Sequence, residues 1–292
     1  MPVYLGIDGG GTKTRCLMTD EDGRVLTDRT YGPTNPNDIP QEVLRTRFEE
    51  IARQMLECAA PHAVFAGIAG ALNHKEELLG LLSDCFPGAL CGVGSDAQNI
   101  LSAGLGMRDG CCLISGTGSV CFARVGGELH RIGGWGYLLD DAGSGGAIGR
   151  DGICAALRAY DGRGEKTVLN ERIRAFAGKP AEALIGEIYG GGKSYLASFA
   201  PLVIRAAEDG DPMAQKIVKT NMAALGELLT AAERHFADGF PVTCSGGILT
   251  ENPYCFDLLK ALAPEAAEIA LLRVHPVFGA VAEAGRLWKT RK

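Results

Sequence analysis

Several features are absent from this sequence, and each absence excludes a class of protein. Basic residues form no run, and 29 Lys and Arg against 35 Asp and Glu give a net charge of −6, so we expect no nucleic-acid partner. No stretch approaches the ~18 consecutive apolar residues of a membrane-spanning helix, so we expect no membrane association. The N-terminus enters an apolar strand without a basic region or a cleavage site, which predicts a cytoplasmic protein without a signal peptide.

The Cys-x-x-Cys pair is also absent, although the chain has ten cysteines. Zinc and thiol-redox motifs use such pairs, so neither kind of site is predicted. Most of the cysteines lie inside apolar segments. We interpret them as buried, reduced thiols, the usual state of cysteine in the cytosol.

Glycine, in contrast, is abundant: it makes up 41 of the 292 residues, about twice the usual share of roughly 7%. Its densest run is at residues 6–14, which read Gly-Ile-Asp-Gly-Gly-Gly-Thr-Lys-Thr and lie between two short apolar strands. A dinucleotide-binding fingerprint or a P-loop would open a helix here, and the sequence continues as a strand instead. A plain hairpin turn is the alternative, but it seldom needs three glycines followed by Thr-Lys.

These glycines allow a tight turn whose N–H groups, together with Thr12 and Lys13, suit phosphate oxygens. Asp8, at the end of the first strand, could hold Mg²⁺ through water, since Mg²⁺ keeps most of its hydration shell and takes one or two carboxylates. The sequence therefore predicts a phosphate-binding hairpin at this corner.

The same pattern recurs over residues 111–125. Residues 111–115 form an apolar strand, residues 116–119 read Gly-Thr-Gly-Ser, and residues 120–125 form a second strand. This repeat of architecture predicts two related α/β domains that face each other, with two phosphate-binding hairpins directed into one cleft. The Gly-rich segment at residues 104–110 has the composition of a hinge between them.

Outside the hairpins, hydrophobic periodicity predicts the remaining elements. Helices are expected at residues 41–60, 75–84, 97–105, 144–159, 170–177, 184–189, 195–209, 212–236, 253–262 and 276–287. Strands are expected at residues 63–69, 90–94, 242–249 and 267–274, and the third of these runs into a Gly-Gly turn.

Four stretches, taken together, resemble the sugar-kinase, actin and heat-shock ATPase superfamily, and more narrowly the BadF/BadG/BcrA/BcrD ATPase family with its N-acetylglucosamine kinases. They are residues 6–14, residues 94–97 (Gly-Ser-Asp-Ala), residues 115–119 (Ser-Gly-Thr-Gly-Ser), and residues 134–136 (Gly-Trp-Gly) with residues 140–145. Residues 245–248 (Ser-Gly-Gly-Ile) look like the family's adenosine-binding turn. The order and spacing of these stretches hold over nearly the whole chain.

The resemblance implies an α/β fold of two ribonuclease H-like, or actin-like ATPase, domains facing each other across a cleft. The first domain would span residues 1–106 and the second, with a helical middle, residues 107–292. The last helix would be able to pack back on the first domain. The resemblance also implies ATP and Mg²⁺ as cofactors, a small-molecule sugar as substrate, and a homodimer.

The same resemblance implies a role for individual residues. The first phosphate loop would comprise Asp8, Gly10, Gly11, Thr12 and Lys13, with Asp8 holding Mg²⁺ through water. The second phosphate loop would comprise Gly116, Thr117 and Gly118, and the adenosine-binding turn Gly246 and Gly247. Asp96 would be the catalytic base facing the sugar hydroxyl, and the other sugar contacts would be Asn35, Trp135 and Asp141.

Three of these residues also have an ordinary structural interpretation. Asp96 stands at a strand end and a helix start, where a carboxylate can cap the helix; phosphoryl transfer, however, needs a carboxylate that receives the acceptor's proton. Trp135, flanked by glycines, is either a core residue or a flat wall of a cleft. Asn35 lies between prolines, where Asn is common in loops.

One segment departs from the family pattern, which commonly reads Gly-Asp-Glu-Gly-Ser after the Trp. Residues 140–144 read Asp-Asp-Ala-Gly-Ser, so Asp141 is kept, Ala142 replaces the Glu and Asp140 is a new carboxylate. Loss of the Glu predicts a larger sugar pocket, whereas Asp140 would disfavour an anionic sugar if it faced that pocket. N-acetylglucosamine is the first expectation, and N-acetylmuramic acid and glucosamine stay open.

The expected function is therefore ATP-dependent phosphorylation of a hydroxyl of an amino sugar. A second branch of the same family activates radical dehydratases through a [4Fe–4S] cluster that Cys thiolates hold between two subunits. Cys111, Cys112 and Cys154 are the candidates for that role. A third hypothesis is a non-catalytic actin-like polymer or a chaperone ATPase, although a chaperone would be expected to carry a peptide-binding domain.

Overall fold

The computed structural model describes residues 1–291, which form two compact units. The first unit comprises Met1–Arg108 together with the chain from Leu272 onward, and the second unit comprises Asp109–Leu271.

Five strands and four helices form most of the first unit. Its strands are β1 (Val3–Gly9), β2 (Thr14–Asp20), β3 (Val25–Tyr31), β4 (Ala63–Ile68) and β5 (Leu90–Gly94). Its helices are α1 (Gln41–Leu56), α2 (Lys75–Cys85), α3 (Asp96–Leu105) and, from the end of the chain, α11 (Val277–Lys289).

The second unit has five strands and a larger set of helices. Its strands are β6 (Gly110–Ser115), β7 (Ser119–Val125), β8 (Glu128–Ile132), β9 (Phe240–Ser245) and β10 (Ala267–Leu271). Its helices are α4 (Gly145–Tyr160), α5 (Leu169–Ala177), α6 (Ile185–Ala197), α7 (Ala200–Glu208), α8 (Pro212–Glu233), α9 (Gly247–Thr250) and α10 (Pro253–Leu262).

The two units contain sheets of the same topology. The strand order is β3-β2-β1-β4-β5 in the first unit and β8-β7-β6-β9-β10 in the second. In each sheet the first hairpin is antiparallel, and the last two strands run parallel to its first strand. The predicted repeat of architecture is confirmed, because the two Gly-rich turns occupy the same place in both sheets.

The last helix completes the core of the first unit. α11 packs on β1, β4 and α3, and Tyr4 and Phe65 are buried with Ala280 in a cluster beneath it. Glycines permit this close approach: a Cβ on Gly6 would lie 2.9 Å from the carbonyl carbon of Ala280. The sequence had placed this helix within residues 107–292 and allowed it to pack back on the first domain.

Two segments of the second unit differ from the predicted elements. The strand expected at residues 242–249 ends at Ser245, because Gly246 adopts φ 93° and its carbonyl then accepts the N–H of Thr250 to begin α9. The helices expected at 184–189 and 195–209 are instead α6, with a break at Gly192 (φ 55°), and a separate α7. The sequence placed a Gly-Gly turn at the end of the expected strand but predicted neither α9 after it nor the break at Gly192, since glycine permits several conformations.

None of the helices within residues 1–291 combines the length and the apolar content needed to cross a bilayer.

Candidate active site

The predicted first phosphate loop is the turn between β1 and β2. Gly9 and Thr14 pair at its base, and the N–H of Gly10 donates to the carbonyl of Lys13 at 3.1 Å, which closes the turn. A Cβ on Gly9 would collide with the hydroxyl of Thr34, which is hydrogen-bonded to the hydroxyl of Thr14 at 2.8 Å. A larger residue at position 9 would therefore displace the loop that follows β3.

Asp8 lies at the end of β1 and is held from α3. Nδ2 of Asn99 donates to Oδ1 of Asp8 at 2.8 Å and to the carbonyl of Gly67 at 3.0 Å. A Cβ on Gly67 would collide with the Asn99 amide, so this contact depends on glycine. Burial raises the pKa of Asp8 to about 6, an effect that the Asn99 hydrogen bond opposes and the charge of Asp96 reinforces.

Asp96 is the first residue of α3, directly after β5. Ser95, rather than Asp96, occupies the N-cap position. Oδ1 of Asp96 accepts the N–H of Ala97 at 3.0 Å. Burial raises the pKa of Asp96 above its ordinary value, and this hydrogen bond opposes the rise. A carboxylate with a raised pKa is better suited to accept a proton than a fully solvated one.

One pocket of the first unit brings these groups together. Residues 9–13 line it, with Asp8, Asp96, Arg15 and His275. Arg15 is fixed by two hydrogen bonds, of 2.9 and 2.6 Å, to the carboxylate of Asp28. Carboxylates, cations and loop N–H groups thus line the same pocket, a combination that suits a phosphate accompanied by a divalent cation.

His275, just before α11, is a neutral member of this pocket. Its Nδ1 lies 3.7 Å from Oδ2 of Asp8, but it accepts the N–H of Val277 at 3.1 Å, which assigns the ring proton to Nε2. Burial lowers the pKa of His275, and the charges of Arg15 and Lys13 lower it further. At neutral pH the ring is therefore uncharged and forms no ion pair with Asp8.

Asn35 lies in the loop after β3, and the nitrogen and the oxygen of its side-chain amide both form hydrogen bonds within that loop. Nδ2 donates to Oδ2 of Asp38 at 2.6 Å, and Oδ1 accepts the N–H of Asn37 at 3.0 Å. The loop lies against the first phosphate loop, because a Cβ on Gly11 would meet Oδ2 of Asp38 at 2.7 Å. The predicted sugar contact of Asn35 stays a prediction.

In the second unit, the predicted second phosphate loop joins β6 to β7 and is fixed to the start of α4. The carbonyls of Gly116 and Thr117 accept the N–H groups of Gly145 and Gly146 at 2.7 and 3.2 Å. Within the loop, the N–H of Gly116 donates to the carbonyl of Gly118 at 2.9 Å. The conformation of the loop is therefore fixed by its hydrogen bonds to the start of α4.

The predicted adenosine-binding turn lies against this loop. Gly246 has φ 93°, and a Cβ on it would collide with the carbonyl of Ser115 and lie 2.8 Å from the nitrogen of Gly116. Gly247 begins α9, and a Cβ there would meet the Glu251 carboxylate at 3.3 Å. The structure thus joins two of the predicted nucleotide-binding segments within one unit.

Trp135 lies in an open loop of the second unit. It is 63% exposed, and the guanidinium of Arg131 lies 4.6 Å from its ring centroid. The interpretation of Trp135 as a core residue is therefore wrong, while its contact with sugar stays a prediction. The backbone N–H of Trp135 donates to Oδ2 of Asp140 at 3.3 Å, so the additional carboxylate forms a hydrogen bond within its own loop.

Asp141 differs from its neighbours in being almost fully buried, at 3% exposure. Its Oδ1 accepts the N–H of Gly136 at 3.3 Å, and its Oδ2 receives Nζ of Lys193 at 2.5 Å. Within residues 1–291, Asp141 is the one residue other than glycine with a positive φ, 65°. This conformation costs roughly 1–2 kcal/mol, and residues strained in this way cluster at functional sites.

The profile of the BadF/BadG/BcrA/BcrD ATPase family matches residues 5–284. The chain belongs to this family. The N-acetylmuramic acid/N-acetylglucosamine kinase of Clostridium acetobutylicum is 32% identical over 96% of this chain and 97% of its own length. The N-acetyl-D-glucosamine kinase of Dictyostelium discoideum is 29% identical over 95% of this chain and 96% of its own.

Solved structures show the same fold. A Chromobacterium violaceum protein, provisionally described as an N-acetylglucosamine kinase, superimposes with a TM-score of 0.76 at 24% identity, covering 99% of both chains. The two five-stranded sheets with flanking helices thus have the predicted fold of two actin-like ATPase domains.

In this BadF/BadG/BcrA/BcrD family member, the predicted site residues fall into two groups. The pocket of the first unit contains Asp8, Gly10, Gly11, Thr12, Lys13 and Asp96, and the Asn35 loop lies against it. The second unit contains the other group, in which Gly116 meets Gly246 and Gly118 meets Asp141, with Thr117, Gly247 and Trp135 on the adjoining segments.

The polar residues that sequence reasoning missed include Asn99, Lys193 and His275, besides Arg15. Asn99 could have been identified from its position three residues after Asp96, which places it on the same face of α3. Lys193 directly follows three consecutive glycines, and this pattern is the signal that marks it in the sequence. His275 had no comparable signal, since only the packing of α11 places it beside Asp8.

The first unit also fits the Mg²⁺ that the family implies. Asp8 is a desolvated carboxylate whose pKa is raised in part by a second carboxylate, Asp96, and a bound cation would relieve both effects. Oxygen ligands are what Mg²⁺ prefers, and one carboxylate acting through water is a usual arrangement. No cluster of three or more His, Cys, Asp or Glu suited to a metal occurs in the part of the chain that the structure describes, so a cage made wholly of protein ligands is not part of this fit.

Proposed function

We propose that this protein is an ATP-dependent amino-sugar kinase whose first substrate is N-acetylglucosamine. The observation that carries the proposal is the pocket of the first unit, in which Asp96 lies beside a Gly-rich loop and the desolvated Asp8. The two relatives described above are amino-sugar kinases, and each matches this chain over nearly its whole length.

Each residue of the pocket would have a distinct task in phosphoryl transfer. Asp96 would orient the sugar hydroxyl and accept its proton, which its raised pKa favours. The N–H groups of the first loop and Lys13 would bind phosphate oxygens. Asp8, kept in place by Asn99, would hold Mg²⁺ through water, and Mg²⁺ would neutralise charge on the transferred phosphate.

The second unit would bind the rest of the nucleotide and part of the sugar. Gly116, Thr117 and Gly118 would contact phosphates, and Gly246 with Gly247 would receive the adenosine. Trp135 would supply a flat surface for the sugar ring, with Arg131 covering one face of the indole. Asp141 would accept a sugar hydroxyl in addition to its two protein contacts.

The choice among amino sugars depends on the segment that departs from the family pattern. Asp140 bonds to the backbone of its own loop, which weakens the argument that it repels an anionic sugar. Ala142 is exposed, and its carbonyl accepts the hydroxyl of Ser119 at 2.7 Å. An enlarged pocket at Ala142 would admit N-acetylmuramic acid as a second substrate after N-acetylglucosamine.

The test is a coupled assay of ADP formation with N-acetylglucosamine, N-acetylmuramic acid and glucosamine. We expect sugar-dependent ADP formation and a kcat lowered about 10²–10⁴-fold in Asp96→Asn, because the variant lacks the proton acceptor. ATP affinity, measured by calorimetry, should stay near the wild-type value. Asp84→Asn, an exposed change in the same unit, is the control. Near-normal turnover in Asp96→Asn would remove Asp96 from this role, and no ADP with any of the three sugars would contradict the kinase.

The activator of a radical dehydratase is less well supported. Cys111 and Cys112 are fully buried in β6, where they are inaccessible to a cluster shared with another subunit. Cys154 is exposed on α4, but partial desolvation of its thiol and the nearby charge of Asp151 raise its pKa, which opposes formation of the thiolate ligand. An iron-free, colourless preparation with kinase activity would exclude this function.

Three further properties belong to the same proposal: dependence on Mg²⁺, a homodimeric state and a cytoplasmic location. Activity should be lost with EDTA and restored by Mg²⁺. Light scattering during size-exclusion chromatography would report the mass of the assembly, for which 30.7 kDa is the mass of one chain.

A further inference from the structure

Lys193 places a positive charge on the second phosphate loop. A Cβ added to Gly118 would collide with its Nζ and lie 3.0 Å from its Cε, so the ammonium occupies the space beside Gly118 that another residue's side chain would fill. The stem of Lys193 runs past the start of α4, since a Cβ on Gly146 would lie 3.4 Å from its Cγ. The ammonium is thus held against a loop that has been assigned to phosphate on other grounds.

The backbone around Lys193 is shaped for this position. α6 breaks at Gly192, where φ is 55° and ψ is −145°, immediately before the lysine. Any other residue would be strained in that conformation. The helix resumes after the break, and Lys193 is directed at a loop formed by residues far away in the sequence.

Asp141 holds the ammonium in place without using all of its donors. The Nζ–Oδ2 distance is 2.5 Å, and the Asp141 side chain is 4% exposed against 31% for Lys193. An ammonium has three N–H groups, and within residues 1–291 Asp141 is the side chain to which Nζ donates. The buried carboxylate fixes one donor, while the exposed part of the ammonium retains two for a ligand.

We propose that Lys193 is a phosphate-binding residue of the second loop, and that Asp141 is the residue that positions it. This inference rests on the proposed function, which supplies the nucleotide. The ligand chemistry is the polyphosphate of ATP, because an ammonium binds phosphate as a point charge and its effect grows with phosphate charge. The strained, buried Asp141 thereby joins the sugar-binding loop to the phosphate-binding loop.

The alternative is that Lys193 only neutralises the buried charge of Asp141. The two roles separate by the number of phosphates on the ligand. A phosphate-binding lysine affects ATP more than ADP and scarcely affects AMP, whereas a structural counter-ion affects all three equally, through the fold, or none of them.

The test is calorimetric binding of ATP, ADP and AMP to the full chain. In Lys193→Met the dissociation constant for ATP should rise about 10–100-fold, the range expected for a lost hydrogen bond to a charged group. The constant for AMP should change by less than about threefold, and Lys193→Arg should restore most of the ATP affinity. Lys219→Met, which removes one exposed charge from the same unit, is the matched control and should bind ATP as the wild type does.

Lys193→Met leaves Asp141 buried and unpaired, so this variant could fail to fold. A second variant keeps the proposal testable in that case. The double variant Asp141→Asn, Lys193→Met removes both charges and should show the same selective loss of ATP affinity. Equal weakening of ATP and AMP, or unchanged ATP affinity in either folded variant, would overturn the proposal. Because these measurements read binding alone, a wild type that binds ATP but phosphorylates no sugar would refute the kinase while leaving the Lys193 result interpretable.

Discussion

Asp8 makes the stability of the protein depend on pH. Its pKa is about 6 in the folded chain, raised by burial from 3.8. Because the unfolded chain loses this proton at lower pH, the free energy of unfolding falls as pH rises from about 4 to about 6, so the protein becomes less stable over this range. The full difference corresponds to about 3 kcal/mol above pH 6.

Asp8→Asn should therefore stabilise the protein while removing the predicted Mg²⁺ carboxylate. An Asn side chain retains an oxygen that can accept from Asn99. The stability gain over wild type should be about 1 kcal/mol larger at pH 8 than at pH 5, as measured by urea unfolding. Asp84→Asn, an exposed change, should show no such widening. A gain that is equal at both pH values would mean that Asp8 is not the desolvated group.

The sequence was sufficient to locate candidate residues whose place in the fold depends on local position. Asp8 and Asp96 stand at strand ends before a Gly-rich turn and a helix, and a strand end at a turn is a place that sequence can identify. Lys193 and His275 become part of the site only when α6 and α11 pack against other segments. Their placement depends on contacts across long stretches of chain, which hydrophobic periodicity does not encode.

At the scale of elements, the contact between α3 and α11 depends on the absence of a side chain at Gly279. A Cβ there would lie 2.6 Å from the nitrogen of Ala103 and would collide with the carbonyl of Asn99. The two helices can therefore approach only with glycine at this position. The same contact positions Asn99, which in turn holds Asp8.

Gly279→Ala should destabilise the protein by about 1–3 kcal/mol, the usual effect of overpacking. Gly80→Ala in α2 is the matched control, because nothing lies within 4 Å of a Cβ there. That change should stabilise by about 0.5–1 kcal/mol through helix propensity alone. Denaturant unfolding of both variants measures the difference, and two similar shifts would show that the packing at Gly279 has room to adjust.

The elements themselves were predictable where their pattern is strong. The hairpins around residues 10–13 and 116–118 were correctly placed, since each has an apolar strand on both sides of a Gly-Thr turn. The break at Gly192 and the start of α9 after Gly246 were not. Both depend on a positive φ at glycine, which the surrounding contacts select and the sequence only permits.

At the scale of the whole molecule, the first unit is made from the two ends of the chain, whereas the second is continuous. Without α11, a fragment of residues 1–108 would expose the apolar cluster of Tyr4 and Phe65. The repeated sheet topology was predictable from the repeated hairpin motif. The sequence allowed the last helix to pack on the first sheet but did not require it, because the apolar face of a helix does not specify its partner.

Separate fragments should therefore behave differently. Residues 109–271 should unfold cooperatively in urea, because the fragment retains all of its own buried cluster. Residues 1–108 should show no cooperative transition, and joining residues 272–292 to them through a flexible linker should restore one. Circular dichroism during urea titration measures each fragment. A cooperative transition in residues 1–108 alone, with the same midpoint as the linked form, would contradict this account.

The return of α11 also sets an order of events during translation. A nascent chain usually folds from its N-terminus onward, domain by domain. Here the first sheet is synthesised early but acquires its covering helix only once residues 277–289 have been made. The continuous second unit has all of its strands and helices outside the exit tunnel before then. The second unit can thus reach its native packing before the first unit, which stays incomplete until α11 has emerged.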